Sequence, residues 1–197
     1  MSAPLVLASA SPRRRELLAA AGYQFEVVPS EIPEIPQTGE APETFAQRIA
    51  REKAADVARR RPGAYVLGAD TVVVVDGILL GKPTNRAEAR RMLRALSGRA
   101  HRVLTGVALV TPAGTVDSAL VESRVEFRAL SASDIEAYLD LEEPYDKAGA
   151  YAVQGYARQF IAAVHGSYSN VVGLPMELIS ELLRPWAPAT QAEVPPA

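Results

Sequence analysis

The chain has 197 residues, with 21 basic and 23 acidic side chains, a formal net charge of −2, 48% hydrophobic residues and no cysteine. A chain of this length buries roughly 70% of its extended-state surface, so one globular domain can hold together without disulfides or structural zinc. The lack of cysteine excludes thiol nucleophiles, iron–sulfur clusters and thiolate zinc, two histidines are too few for a His-rich metal site, and near-neutrality argues against a nucleic-acid sleeve.

The N-terminus reads MSAPLVLASASPRRR, with its charges after a short apolar run, unlike a targeting segment. The most apolar stretch, 66–75, contains Asp70 and is far shorter than the roughly 20 residues of a membrane span. The expectation is a cytoplasmic protein with no membrane or nucleic-acid partner.

In chain order, 4–9 reads as a buried strand, and Ser11 followed by Pro12 reads as an N-cap and first helical residue, opening a helix to about Ala21. A second strand is expected over 24–29 and a proline-rich loop over 30–40, carrying Glu31, Glu34 and Glu40. Phe45, Ile49, Lys53 and Val57 recur every four residues along a helix from 43 to about 61, which puts Lys53 on the apolar stripe. A valine-rich strand over 65–75, the turn Asp76-Gly77 and a return strand over 78–80 form a hairpin.

A helix is predicted over 84–97, two strands over 102–111 and 115–128, and a helix from Ser131 with Asp134 completing a capping box. The Gly- and Tyr-rich stretch 145–173 has little clean periodicity and reads as loops and short strands shaping a site. A last amphipathic helix covers 175–183, and 185–197, with four prolines, reads as a disordered tail. Helix crossovers mixed with hairpins imply an α/β domain built on a mixed sheet.

Three groups of residues stand out for chemistry. Ser9, Ser11, Arg13 and Arg14 bracket a strand end and a helix N-terminus, where free N–H groups, the helix dipole and guanidinium forks favour a phosphate. The alternative is a Ser cap with solvated arginines, although three consecutive arginines at a helix start oppose its dipole unless an anion is bound. Asp70 interrupts an apolar strand, so it faces a cation, a metal or a solvent-filled cleft, or else sits at a bulge pointing to water.

The chain uses 18 arginines and three lysines, Lys53, Lys82 and Lys147, which marks those three as candidate sites for a compact ammonium. Glu31 and Glu34 could join Asp70 around magnesium, or remain solvated loop charges. His101 and His165 have no companions that mark a catalytic triad.

LASASPRRRELL at the start, REKA at 51–54, LGADTVV at 67–73, GKP at 81–83, YDKAGAYAVQG at 145–155 and SYSNVVGLP at 167–175 together resemble the Maf family of nucleoside triphosphate pyrophosphatases. The resemblance implies an elongated α/β fold, a mixed sheet flanked by helices, shared with the inosine triphosphate pyrophosphatases, over a domain spanning 1–184. It implies hydrolysis of a nucleoside triphosphate to the monophosphate and pyrophosphate, with Mg²⁺ or Mn²⁺ as divalent cofactor. Asp70 matches the proton acceptor. Arg13, Thr71 and Gln154 match positions of substrate choice, and Ser9, Arg14, Glu34, Lys53 and Lys82 match the polar cluster around the phosphates and metal, with Glu34 and Asp70 as the metal ligands.

The 146–155 segment is similar to the branch acting on dTTP and UTP, and a Gln154 amide suits a pyrimidine edge carrying O4 and N3–H. A homodimer is a further expectation of the resemblance. The alternative functional reading is a nucleotide-binding regulator of septum formation that does not hydrolyse. A pure binder, however, has no need of a carboxylate such as Asp70 beside an anionic ligand unless a metal intervenes.

Overall fold

A computed structural model describes residues 3–186. The order is β1 (Leu5–Leu7), α1 (Pro12–Ala20), β2 (Glu26–Val27), α2 (Pro42–Arg60), β3 (Tyr65–Val75), β4 (Ile78–Leu80), α3 (Arg86–Leu96), β5 (Ala100–Val110), β6 (Val116–Phe127), α4 (Ala132–Leu139), β7 (Ile161–His165), α5 (Tyr168–Val172) and α6 (Met176–Leu182). The seven strands form one mixed sheet in the order β2-β1-β3-β5-β6-β7, with β4 paired to β3. The β1 strand runs parallel to both neighbours, and the remaining pairings are antiparallel.

Period-two alternation along β3 sends its residues to the two faces of the sheet, each with two apolar clusters. Val66, Val72 and Val74 face α2, where they pack with Ala50, Ala54 and Val57 or with Phe45 and Ile49. Leu67 and Ala69 face Leu18, Leu174 and Ile179, whereas Val73 and Val75 face α3 and α4 through Met92, Leu93 and Ile135. The polar residues Asp70 and Thr71 sit where these clusters meet, one on each face of the strand.

The α2 helix lies unusually close to the sheet. A Cβ on Gly68 would collide with Ala50 O, and one on Gly106, the register partner of Asp70, would collide with Ala46 O. Two glycines without side chains thus let a helix backbone rest against the strands, and this approach brings Lys53 to Asp70.

Several expectations are refined. The helix predicted from Thr84 starts at Arg86, because Asn85 is the residue whose side chain accepts the Glu88 N–H as cap. Ser11 holds the N-cap position of α1 without a side-chain cap bond, whereas the predicted capping box of Ser131 and Asp134 is formed in full. The stretch read as loops and short strands also contains α5, capped by Ser167 Oγ accepting from Asn170 N at 3.1 Å.

Trp186, which falls within the expected tail, packs against Leu5 and Leu183 and donates its indole N–H to Ala3 O at 2.8 Å. Tail positions 187–197 lie outside the described residues. Among the described residues, no helix is long and apolar enough to cross a membrane.

Candidate active site

A cleft of about 310 Å³ opens where β1, β3, α1 and the 146–153 and 171–173 segments converge, a volume within the range of small-molecule sites. Ser9, Ser11, Arg13, Arg14, Glu34, Lys53, Asp70, Thr71 and Lys82, expected from separate stretches of sequence, all line it.

Asp70 is 4% exposed, and its Oδ1 accepts from Lys53 Nζ at 2.8 Å. Lys53, itself buried at 7%, also reaches Glu34 Oε1 at 2.7 Å. The ammonium therefore bridges one carboxylate of the sheet and one of the loop that precedes α2. Burial pushes the Glu34 carboxyl up, but the charge and hydrogen bond of Lys53, aided by Lys82 and Arg14, outweigh it and hold Glu34 below its ordinary value.

Arg14 is committed largely to the protein itself. Its Nε donates to Gly173 O at 2.8 Å, Nη1 to Ser9 Oγ at 3.0 Å and Ala69 O at 2.9 Å, and Nη2 to Thr71 Oγ1 at 3.0 Å. Four of the five N–H donors of a guanidinium are thus spent on protein acceptors. Arg14 is a tie between the end of β1, the middle of β3 and the end of α5, with one donor left for a ligand. Burial pulls this guanidinium below its ordinary value, against the opposing charges of Asp70 and Glu34.

Ser9 and Thr71 belong to the same scaffold. Ser9 Oγ also accepts from Ser11 N at 3.2 Å, and Thr71 Oγ1 lies 3.0 Å from Thr105 Oγ1. The expected phosphate cradle therefore divides: Ser9 and Arg14 build the wall, while Ser11 and the half-buried Arg13 present the start of α1 to the cleft. Arg13 is anchored only by Nε, which donates to Val172 O at 3.3 Å. No acidic residue occupies the first turn of α1, so an anion there meets an unopposed helix dipole.

Gln154 is exposed and is not among the lining residues, although its neighbour Val153 is. The sequence reading also passed over Tyr151, Asp146 and Gly173 as lining residues. Tyr151 is held from behind by His101, whose Nε2 lies 2.7 Å from the Tyr151 hydroxyl; burial pushes that imidazole down to about 4. The aromatic contact of Tyr151 with Phe127 fixes the same wall.

Asp70 and Glu34 make a donor set suited to Mg²⁺ or Mn²⁺, which take one or two carboxylates and leave the other positions to water and phosphate oxygens. Among the described residues no cluster of three or more His, Cys, Asp or Glu side chains forms a closed metal cage. The residues fit an open site that substrate would complete.

The family model described as "Maf-like protein" matches residues 4–186. A dTTP/UTP pyrophosphatase of Myxococcus xanthus is 56% identical over 173 residues, 87% of each chain. One of Syntrophus aciditrophicus is 50% identical over 181 residues, covering 91% of this chain and 88% of that protein. Among solved structures, a HAM1 protein from Coxiella burnetii aligns over 93% of this chain and 99% of its own with a TM-score of 0.52 and 18% identity. The Staphylococcus aureus Ham1 protein aligns over 92% and 98% with a TM-score of 0.50 and 14% identity, a likeness of fold. With a family match over nearly all the described residues and relatives at half identity or better over most of both chains, this chain belongs to the Maf family.

Proposed function

We propose that this chain is a nucleoside triphosphate pyrophosphatase that splits dTTP and UTP between the α- and β-phosphates, giving the monophosphate and pyrophosphate. The single observation that carries the reaction is the buried Asp70 carboxylate, held by Lys53 at 2.8 Å in a cleft that Arg13, Arg14, Lys82 and Lys147 also line. The pyrimidine preference is taken from the names of the relatives at 50 and 56% identity.

In this mechanism Asp70 orients a water for attack on the α-phosphorus and takes its proton. The Lys53 ammonium fixes the Asp70 side chain and supplies the counter-charge that a buried carboxylate requires. Arg13, Lys82 and the start of α1 face the phosphates and neutralise charge as it develops on the leaving oxygen, so catalysis rests on positioning and electrostatics. Glu34 and Asp70 would hold a divalent cation, which supplies Lewis-acid polarisation of the phosphate when bound. Gln154 lies one residue past the Val153 wall, and we assign its amide to the O4 and N3–H edge of the pyrimidine.

A nucleotide-binding regulator without hydrolysis is not favoured, because the relatives carry an enzymatic activity in their names. The test is pyrophosphate release from dTTP, UTP, CTP, GTP and 7-methyl-GTP with Mg²⁺ or Mn²⁺, against a chelator control. Metal-dependent release favouring dTTP and UTP is expected. Binding without release from any nucleotide would replace the enzyme with the regulator.

A further inference from the structure

The chain has three lysines against 18 arginines, and Lys53, Lys82 and Lys147 all line the same cleft. Surface charge elsewhere is supplied by arginine, so a compact ammonium has been kept only around one cavity. Lys53 is committed to two carboxylates, and most of the Arg14 donors go to the protein. Those two cations have little left for a polyphosphate, which must draw on Arg13, Lys82 and Lys147.

The segment that carries Lys147 is held in place at Gly149. Gly149 N donates to Gly81 O at 3.0 Å, which ties the lysine's segment to the one that carries Lys82. Gly149 takes a left-handed φ of 69° and packs flat on Val73, three residues beyond Asp70 on β3, where a Cβ would lie 3.0 Å from Cγ1. The Lys147 side chain is only 14% exposed and pairs with Asp146, whose own side chain is 70% exposed. Burial pushes the Asp146 carboxyl up, but its hydrogen bond and charge pairing with Lys147, together with the charge of Arg13, outweigh this and hold it below its ordinary value. Asp146 is thus the solvent-facing partner of a half-sheltered lysine, an acid that a phosphate oxygen can replace.

We infer that Lys147 is a ligand of the diphosphate leaving group, exchanging Asp146 for phosphate oxygens as the nucleotide enters; the assignment rests on the hydrolysis proposed above. Lys147 then balances charge on the leaving side while Lys53 serves the carboxylate that handles water, so the lysines divide the reaction between its two ends.

Titration calorimetry with inorganic pyrophosphate and, separately, with dTMP tests this without turnover. Lys147→Met is expected to weaken pyrophosphate binding by about tenfold or more, the scale of one charge-assisted hydrogen bond, and to leave dTMP within about twofold. Lys147→Arg should recover part of the loss. Asp146→Asn, which frees the ammonium, should tighten pyrophosphate binding, a direction that loss of folding cannot mimic. Unchanged pyrophosphate binding in Lys147→Met, equal losses for both ligands, or no pyrophosphate binding by the wild-type chain would each overturn the assignment. A wild-type chain that binds pyrophosphate through Lys147 and hydrolyses no nucleotide would refute the proposed reaction while supporting the lysine's role.

Discussion

Replacing Arg14 with lysine keeps the charge and removes the fork, and so separates a structural arginine from a phosphate ligand. The guanidinium spans acceptors on three segments, Ala69 O, Gly173 O and the Ser9 and Thr71 hydroxyls, at 2.8 to 3.0 Å. A single ammonium at the end of a flexible stem cannot satisfy acceptors on both sides of this span. Two buried carbonyls that lose their donors cost about 1 to 3 kcal/mol each, so Arg14→Lys should be about 2 to 6 kcal/mol less stable. At about 2 to 4 °C per kcal/mol for a domain of this size, the melting temperature should fall by roughly 4 to 24 °C. Urea denaturation at neutral pH, with Arg14→Met for comparison, reads the loss directly. If Arg14→Lys stays within about 1 kcal/mol of the wild type while losing only catalytic efficiency, the arginine is a substrate ligand and the structural reasoning fails.

Gly106→Ala should cost about 1 to 3 kcal/mol, because the new methyl group meets Ala46 O and lifts α2; pyrophosphate release should fall with it, since α2 carries Lys53. The folded-state value of His101, about 4, lies below its ordinary 6.5, so the unfolded chain binds more protons between these limits and wild-type stability falls as pH drops through them. His101→Phe lacks this penalty. Between pH 7 and pH 5 its urea-derived stability should therefore improve relative to the wild type by about 2 kcal/mol, and parallel curves would contradict the neutral, buried imidazole. The Glu34 carboxyl is held below its ordinary 4.5, so its contribution to stability is fully present above that pH and is lost as pH falls through the lowered value. Denaturation of Glu34→Gln should show a constant deficit above pH 4.5 that narrows in more acidic buffer.

Strands and helices with strong periodicity were legible in the sequence: β3 runs over Tyr65–Val75, and the stripe through Phe45, Ile49 and Val57 is the buried face of α2. Asp70 was legible as chemistry because an acid inside an apolar strand needs a partner, and Lys53 because a lysine on an apolar stripe must pair. That these two residues meet depends on Gly68 and Gly106, whose missing side chains act at a helix–sheet contact between distant segments; a single glycine in a strand carries no sign of its partner.

Arg14 illustrates the opposite limit. An arginine at a helix start reads as a surface anion ligand, and its burial follows from acceptors at Ala69 and Gly173, which only the folded chain brings together. The α5 helix escaped notice because its five residues are too few to show a period, although Ser167 three residues before Asn170 is a cap signal. Gln154 was placed by resemblance alone, and no local pattern announces that it is exposed directly after the buried run 150–153.

In the proposed mechanism the carboxylate of Asp70 activates water in this cleft, and in Asp70→Asn the amide keeps the shape and loses the base. Pyrophosphate release from dTTP should fall by a factor of about 10² to 10⁴, the usual contribution of a general base, while dTMP binding and the circular dichroism spectrum remain those of the wild type. Turnover within a few-fold of wild type in a folded Asp70→Asn chain would contradict the account and move the base elsewhere in the cleft.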